Sequence, residues 1–352
     1  MITPKTRVLL GMSGGLDSTY AARLLTEKGY GVVGAAFRFS EHTDLDGARL
    51  AAKELEIALI EIDVSERFET YVVRNFAEEY ARGRTPNPCV VCNRYVKMQA
   101  LYEEAVARGF DFFATGHYAR IVSRDGRYAA AMAKDTRKDQ SYMLWGLSQE
   151  ALAHLLTPLA ECDKGDVREL AAAASLSAAA KKESQDICFI PDGDYARFLT
   201  SYAKEKAFMP LQAAFEGGDF VDSEGKILGK HRGVAHYTVG QRKHLGIALG
   251  YPAFVTAIDA ERKTVTLSGE AGTKKREITV ENLVFGLLPP RTSGELRAEV
   301  KIRYAARPVG CRVIFEGERA TVIFDEPERN PAPGQSAVFY ENGAILFGGV
   351  IV

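Results

Sequence analysis

The residues best suited to chemistry form a glycine- and serine-rich turn near the start of the chain. Gly11-Met12-Ser13-Gly14-Gly15-Leu16-Asp17-Ser18 follows the apolar run 8–10 and opens a predicted helix over 16–28. Glycine lets backbone N–H groups approach an anion closely, and a helix N-terminus favours negative charge. Serine hydroxyls add donors, and the Asp17 carboxylate suits a hard cation such as Mg²⁺. The turn therefore predicts a phosphate-binding loop.

A second group of reactive side chains is formed by three of the five cysteines. Cys89 and Cys92 follow the two prolines of the segment 85–88, and Cys188 stands in the polar-to-apolar segment 183–191. A Cys-x-x-Cys spacing lets two thiols share a metal or form a redox pair. Structural zinc needs four ligands, and no second Cys-x-x-Cys exists here. Cys162 and Cys311 lack such a context, so we expect small buried apolar side chains there.

Length and composition predict a soluble protein of several domains. The chain has 352 residues, 46% hydrophobic content and a formal net charge of −1. This length favours two or three domains, and the near-zero charge gives no overall attraction to nucleic acid. No stretch approaches the ~20 apolar residues of a membrane span. With no secretory signal pattern at the start, we expect a cytoplasmic protein without membrane contact, whose cysteines stay reduced unless they have a function.

Strand and helix patterns alternate over the first 120 residues. Predicted strands cover 7–10, 32–39, 58–63 and 112–115, and predicted helices cover 16–28, 46–55, 66–81 and 96–108. This order predicts an α/β fold with a doubly wound parallel sheet. Because ligands bind beyond the C-terminal ends of such strands, the turn 11–18 and the segment 115–118 should share one site.

The pattern changes along the rest of the chain. A hairpin is predicted over 120–131, followed by helical segments at 141–147, 149–155, 164–174 and 195–202. Beyond about 205, glycines become frequent and short strands replace helices. From about 273, alternating runs predict a small β-barrel. We therefore expect a catalytic domain over 1–204, a small central domain over 205–272 and a C-terminal β-barrel over 273–352.

Several motifs in order identify a family. The turn SGGLDS lacks the Gly-Lys-Ser/Thr ending of a Walker loop, and it resembles the loop of ATP pyrophosphatases, which split ATP between the α and β phosphates. It is followed in order by TPNPCVVCN, ATGHYAR, KDQSYML, SQDICFI, TVGQRKHLGI and PGQSAVFY. This set, spread over nearly the whole chain, resembles the tRNA-specific 2-thiouridylases, which replace the C2 oxygen of the wobble uridine with sulfur.

The resemblance implies an ATP-dependent tRNA-uridine 2-sulfurtransferase acting on tRNAs for Lys, Glu and Gln. The uracil C2 oxygen is a poor leaving group, so its adenylation explains the need for ATP and Mg²⁺. A persulfide is a strong nucleophile for the next step. The partners implied are tRNA and a sulfur-donor protein, either a cysteine desulfurase or a sulfur relay protein.

The resemblance also implies roles for individual residues. Cys92 matches the nucleophile, and Cys188 matches the persulfide-carrying cysteine, which Cys92 resolves as a disulfide. The ATP-binding positions are Gly11, Met12, Ser13, Gly14, Gly15, Leu16, Asp17, Ser18, Phe37 and Gly116. The tRNA-binding positions are Asn87, Pro88, Cys89, His117, Lys138, Asp139, Gln140, Arg303, Tyr304 and Gln335. Basic clusters that we expect on the tRNA surface lie at 230–232, 242–244, 274–276 and 301–304.

Two departures from the family pattern leave the sulfur route open. Cys89 stands where many members carry an aspartate, so the chain has three thiols at family active-site positions. Cys89, Cys92 and Cys188 could instead hold a [4Fe–4S] cluster whose open iron delivers sulfide. The segment after Phe39 is also shorter than is usual, which leaves the sulfur donor undefined.

Two other functions compete with this interpretation. One is an ATP pyrophosphatase ligase that adenylates a small molecule, which would need neither the three cysteines nor the β domains. The other is an RNA-binding or iron–sulfur scaffold without turnover, against which the intact SGGLDS loop argues.

Overall fold

The computed structural model describes residues 5–180 and 187–352. Its first half contains seven strands. They are β1 (Arg7–Gly11), β2 (Gly31–Arg38), β3 (Leu59–Asp63), β4 (Phe112–Ala114), β5 (Ala119–Arg124), β6 (Arg127–Met132) and β7 (Leu155–Leu156). Five of them form a parallel sheet of order β3-β2-β1-β4-β7. The predicted doubly wound α/β fold is thus confirmed, and β1, which leads into the turn 11–18, occupies the centre of the sheet.

Helices pack around this sheet and continue beyond it. They are α1 (Leu16–Glu27), α2 (Asp46–Glu54), α3 (Ser65–Phe68), α4 (Arg74–Ala81), α5 (Pro88–Cys92), α6 (Met98–Ala107), α7 (Gln149–His154), α8 (Lys164–Ala173), α9 (Tyr195–Glu205) and α10 (Met209–Ala214). Single π-helical turns, Glu69–Val73 and Asn93–Lys97, join α3 to α4 and α5 to α6. None of the helices in the described ranges is long and apolar enough to cross a membrane.

Two helix predictions need correction. The helix predicted over 96–108 begins at Pro88, because proline is tolerated in the first turn and Asn87 caps it. The segment predicted as a helix over 141–147 is a short 3₁₀ turn, Ser141–Leu144. Helix α10 also lies where only short strands were expected.

A four-stranded sheet follows the part of the chain that contains the parallel sheet. Its strands are β8 (Gly218–Val221), β9 (Ile227–His231), β10 (Phe254–Asp259) and β11 (Thr264–Ser268), in the order β10-β11-β8-β9. A separate apolar cluster that includes Phe220, Val255 and Val265 fills its interior. This cluster shows that the segment has its own core.

Six further strands close into a barrel. They are β12 (Lys274–Phe285), β13 (Ser293–Lys301), β14 (Val309–Glu316), β15 (Arg319–Arg329), β16 (Ser336–Glu341) and β17 (Ala344–Ile351). Pairing of β12 with both β15 and β17 closes the ring, as the alternating pattern predicted. The strand predicted over 296–304 ends at Lys301, so Arg303 and Tyr304 lie in the following turn.

The hairpin β5–β6 belongs to the barrel sheet rather than to the parallel sheet. The hairpin begins directly after Tyr118, and its strand β6 pairs with β17. One apolar cluster also runs from Leu9 and Phe113 of the parallel sheet to Val300 and Phe339 of the barrel. The barrel therefore packs against the parallel sheet through a shared core.

Candidate active site

The turn 11–18 has the geometry of an anion cradle. Helix α1 begins at Leu16 after Gly15, and no side chain caps its first N–H groups. Ser18 Oγ accepts a hydrogen bond from the Ser13 N–H at 3.2 Å and lies 3.3 Å from Ser13 Oγ. An uncapped helix start with two hydroxyls beside it provides donors for an anion.

Two glycines in this region have no room for a side chain. Gly14 has φ +70°, and a Cβ there would lie 2.1 Å from the carbonyl carbon of Gly47. A Cβ on Gly116 would lie 2.8 Å from the backbone of Asp17 and 2.9 Å from that of Ser18. The segment after β4 thus packs directly on the turn 11–18. This close backbone approach fits the binding of a nucleoside triphosphate at the sheet edge.

Asp17 is held by two side chains from later parts of the chain. Its Oδ1 accepts hydrogen bonds from Lys164 Nζ at 2.5 Å and from Tyr118 Oη at 3.0 Å. Lys164 is the first residue of α8, and its ammonium also lies over the Tyr118 ring. A carboxylate has about four lone-pair sites, so Asp17 can keep these donors and still meet a cation. Mg²⁺ usually takes one or two carboxylates together with phosphate oxygens, which fits this site.

The Cys-x-x-Cys segment forms the start of the helix α5. Asn87 Oδ1 accepts from the Val90 N–H at 3.4 Å, and Pro88 takes the first helical position. Cys89 is exposed, whereas Cys92 is buried. Burial raises the pKa of the Cys92 thiol to about 11, although the nearby Lys97 opposes this shift. Cys92 is therefore protonated at neutral pH in this state of the protein.

One cavity brings the predicted groups together. It encloses about 370 Å³ and extends from the turn 11–18 to the thiols of Cys92 and Cys188. The predicted residues that line it are Gly11, Met12, Ser13, Asp17, Ser18, Phe37, Cys92, Gly116, His117, Gln140 and Cys188. Thr115, from the segment that was expected to share this site, also lines the cavity. Sequence reasoning missed other lining residues, namely Phe39, Thr43, Asp44, Leu45, Ala48, Lys97, Met98 and Leu101. Its position five residues after Cys92 was the one feature of the sequence that could have indicated Lys97 as a residue of this site.

His117 and Gln140 form part of the cavity wall. The Nδ1 atom of His117 lies 2.9 Å from Thr115 Oγ1, and burial lowers the pKa of His117 to about 3. The imidazole is therefore neutral at pH 7. Gln140 Oε1 accepts from the Tyr118 N–H at 3.0 Å, which fixes the amide beside the segment that carries His117.

Cys188 reaches the cavity from the start of the second described range. Its side chain is exposed, yet surrounding atoms still raise the pKa of the thiol. Residues 184–186 of the SQDICFI segment lie outside the described residues. Within 5–180 and 187–352, no three Cys, His, Asp or Glu side chains form a metal-ligand group.

Several residues predicted to contact tRNA lie outside this cavity and have internal partners. Asp139 is buried, and its carboxylate accepts from the Ala133 and Ser141 N–H groups and lies 3.9 Å from Lys301 Nζ. Gln335 Nε2 donates to the carbonyl oxygens of Thr85 and Pro86. These contacts orient the flanking loops. Gly14, Gly15, Leu16, Asn87, Pro88, Cys89, Lys138, Arg303 and Tyr304 are likewise not part of the cavity wall.

The predicted basic clusters divide into exposed and buried residues. Arg232, Arg242 and Lys243 are exposed and line a groove of about 1100 Å³ between the start of α9 and the segment 232–244. His231 is buried, as is Lys301, whereas Arg303 is exposed. The cluster at 301–304 therefore offers a smaller charged surface than the sequence suggested.

The fold and the site define a protein of three parts, a HUP-type nucleotide-binding domain followed by two β domains. Residues 6–192 match the family model of the tRNA methyl transferase HUP domain. Residues 206–269 match the PRC-barrel domain of the same name, and residues 275–351 match the aminomethyltransferase beta-barrel domain.

Similar proteins of known name cover the whole chain. A tRNA-specific 2-thiouridylase MnmA of Clostridium perfringens is 39% identical over 99% of this chain and 98% of its own length. Those of Acetivibrio thermocellus and Carboxydothermus hydrogenoformans are 40% and 41% identical, over 99% of this chain and 99% and 98% of theirs. The chain belongs to the tRNA-specific 2-thiouridylase family. The predicted family and enzyme class are confirmed.

Proposed function

We propose that this protein uses ATP to adenylate the C2 oxygen of the wobble uridine in tRNAs for Lys, Glu and Gln, and then replaces that oxygen with sulfur. The observation that carries the proposal is the single cavity that joins the turn 11–18 to Cys92 and Cys188. An ATP-binding loop and two thiols in one cavity support a reaction in which adenylyl transfer to O2 and sulfur transfer to C2 occur at the same carbonyl group of the base.

The first half of the reaction falls to the N-terminal loop. N–H groups and hydroxyls over 11–18 bind the phosphates, with Gly116 packed behind them and Phe37 beside the nucleotide. Mg²⁺ held through Asp17 would neutralise phosphate charge. The uridine O2 attacks the α-phosphorus, the bond to the bridging oxygen breaks, and pyrophosphate leaves.

The second half falls to the two cysteines. A sulfur-donor protein first places a sulfane sulfur on Cys188. The terminal sulfur of this persulfide attacks C2 of the adenylated uridine and expels AMP. Cys92 then attacks the Cys188 sulfur, which releases the thiouridine and leaves a Cys92–Cys188 disulfide. A cellular dithiol must reduce this disulfide before the next turnover.

Cys89 keeps the cluster route as an alternative. It lies on the same helical turn as Cys92, and both Cys89 and Cys92 interact electrostatically with Cys188. We favour the persulfide because it is the route that the resemblance to the family implies, while the cysteine at position 89 keeps the cluster route open. Anaerobic purification with iron and sulfide analysis separates the two routes, since an iron-free, fully active enzyme eliminates the cluster.

We propose that the tRNA lies across the exposed basic residues of the two C-terminal parts. Arg232, Arg242 and Lys243 line one groove, and Arg303 stands on a turn of the barrel. Phosphate contacts there would position the tRNA, while the target base leaves its stack and enters near Asn87 and Pro88. Lys138, Asp139 and Gln140, together with Tyr304 and Gln335, would shape the entrance.

One assay tests the proposal and its competitors. Protein, MgATP, a sulfur donor and unmodified tRNA are incubated, and thiolated uridine, AMP and pyrophosphate are measured. We expect all three products, in equal amounts, and only when tRNA is present. AMP formation that needs a small molecule instead of tRNA would indicate an adenylating ligase. Tight tRNA binding with no AMP would indicate a non-catalytic RNA-binding protein.

A further inference from the structure

The wall of the cavity carries few charged side chains. Among the lining residues, Asp17 and Asp44 carry negative charge and Lys97 carries the positive charge. His117 adds none at neutral pH, because burial holds its pKa near 3. Because Lys164 already pairs with Asp17, the wall is close to neutral before a strongly anionic nucleotide enters. Binding and reaction of that nucleotide need cationic groups at the reacting phosphate.

Lys97 is placed where such a cation would act. It ends the π-helical turn Asn93–Lys97, which directly follows Cys92. Single π-helical turns inside α-helices are frequent at functional sites. Lys97 lines the same cavity as Cys92, Cys188 and His117.

Lys97 also differs from the other lysine near the nucleotide loop. Lys164 is paired with Asp17 at 2.5 Å and is not part of the cavity wall. Lys97 is half-buried and forms no ion pair within the described part of the chain. Lys97 therefore lines the cavity without a carboxylate partner among the described residues.

We propose that Lys97 is a further catalytic residue, whose ammonium contacts the α-phosphoryl group while the uridine oxygen attacks it. The inference rests on the proposed function and adds to it the group that stabilises the phosphoryl-transfer step. In that step the O2–phosphorus bond forms and the bond to the bridging oxygen breaks with its electron pair on pyrophosphate. The uracil N3 proton leaves to water. Negative charge grows on the phosphoryl oxygens, and an ammonium positioned beside them stabilises that charge.

The test measures adenylation apart from sulfur transfer. Lys97→Met, Lys97→Arg and unaltered protein receive MgATP and unmodified tRNA without a sulfur donor, and pyrophosphate release is followed in a single turnover. We expect Lys97→Met to slow release at saturating ATP by about 10²-fold, and Lys97→Arg to recover part of the loss. Lys53→Met, an exposed lysine on α2, should release pyrophosphate at the unaltered rate.

A binding measurement separates this role from others. The dissociation constant for ATP, from equilibrium binding without tRNA, should change much less than the rate, because the contact strengthens in the transition state. Normal pyrophosphate release with lost thiolation would overturn the proposal and assign Lys97 to the thiols. A weaker ATP affinity with an unchanged saturated rate would also overturn it. Failure of the unaltered protein to release pyrophosphate with tRNA would instead refute the proposed function, and this inference with it.

Discussion

The side-chain amide of Gln335 donates hydrogen bonds to the carbonyl oxygens of Thr85 and Pro86, at 3.1 and 3.0 Å. Gln335 precedes β16 of the barrel, and Pro86 lies two residues before the helix that carries Cys92. The Thr85 N–H also donates to the Pro333 carbonyl at 2.8 Å. The barrel therefore sets the position of the loop that leads into the helix carrying Cys92.

Gln335→Leu should loosen this loop. Removing the amide leaves two carbonyl groups without their donor, which costs about 1–2 kcal/mol of the free energy of unfolding. We also expect a higher KM for tRNA, because Asn87 and Pro88 lie in the loosened segment. Urea unfolding and steady-state kinetics measure both effects. Gln99→Leu, which removes a helix-surface contact to Glu103, is the matched control and should change stability by less than about 0.5 kcal/mol.

Cys92→Ser and Cys188→Ser should each abolish thiolated uridine. A hydroxyl can neither carry a sulfane sulfur nor resolve a persulfide, so we expect product formation to fall by about 10³-fold or more. Mass spectrometry of digested tRNA measures the product. Cys162→Ser, on a partly buried thiol outside the cavity, is the control. Substantial thiolation by Cys188→Ser would contradict the persulfide route.

Gly116→Ala should weaken ATP binding. The new Cβ would lie under 3 Å from the backbone of Asp17 and Ser18, so the phosphate loop must move. We expect at least about a 10-fold rise in the dissociation constant for ATP, equal to about 1.4 kcal/mol. Gly165→Ala on α8 meets nothing within 4 Å and should leave ATP binding unchanged. Equal affinities of both variants would show that the close packing at Gly116 does not matter for the nucleotide.

Protein stability should fall as the pH drops below 6.5, partly through His117. Burial lowers its pKa to about 3 in the folded state, so the unfolded chain takes up the proton first. The stabilisation is complete above the unfolded pKa of about 6.5 and is lost progressively toward pH 3. At pH 5 this amounts to about 2 kcal/mol.

Urea unfolding at pH 7.5 and 5.0 measures this effect. His117→Gln should flatten the pH dependence by about that amount, whereas His42→Gln, at an exposed position, should not. If the free energy of unfolding of His117→Gln depends on pH as in the unaltered protein, another residue takes up the proton on unfolding.

Arg303→Ala and Lys243→Ala should weaken tRNA binding through lost phosphate contacts. Each should reduce the slope of log affinity against log salt concentration by about one unit, without change in ATP affinity. Filter binding over a range of salt concentrations gives the slope. Lys53→Ala supplies a control on an exposed helix far along the chain from both residues. Unchanged tRNA affinity in both variants would refute this surface as the tRNA site.

The sequence by itself determined the local features of this protein. The turn 11–18 and the Cys-x-x-Cys segment could be recognised from the sequence because their functional atoms are neighbours along the chain. Over such short segments, residue type sets the backbone conformation. Alternation of strands and helices indicated the parallel sheet, and alternating apolar residues indicated the barrel, since each period follows from one element burying one face. The ordered motifs identified the family.

Tertiary structure decided what depends on contacts between distant segments. It placed Cys188 on the same cavity as Cys92, paired Lys164 with Asp17, and joined the hairpin β5–β6 to β17. It buried Asp139 among donors from Ala133 and Ser141. It also placed Lys97 on the wall of that cavity. Side-chain direction and burial result from packing of the shared core, and no local residue pattern specifies them.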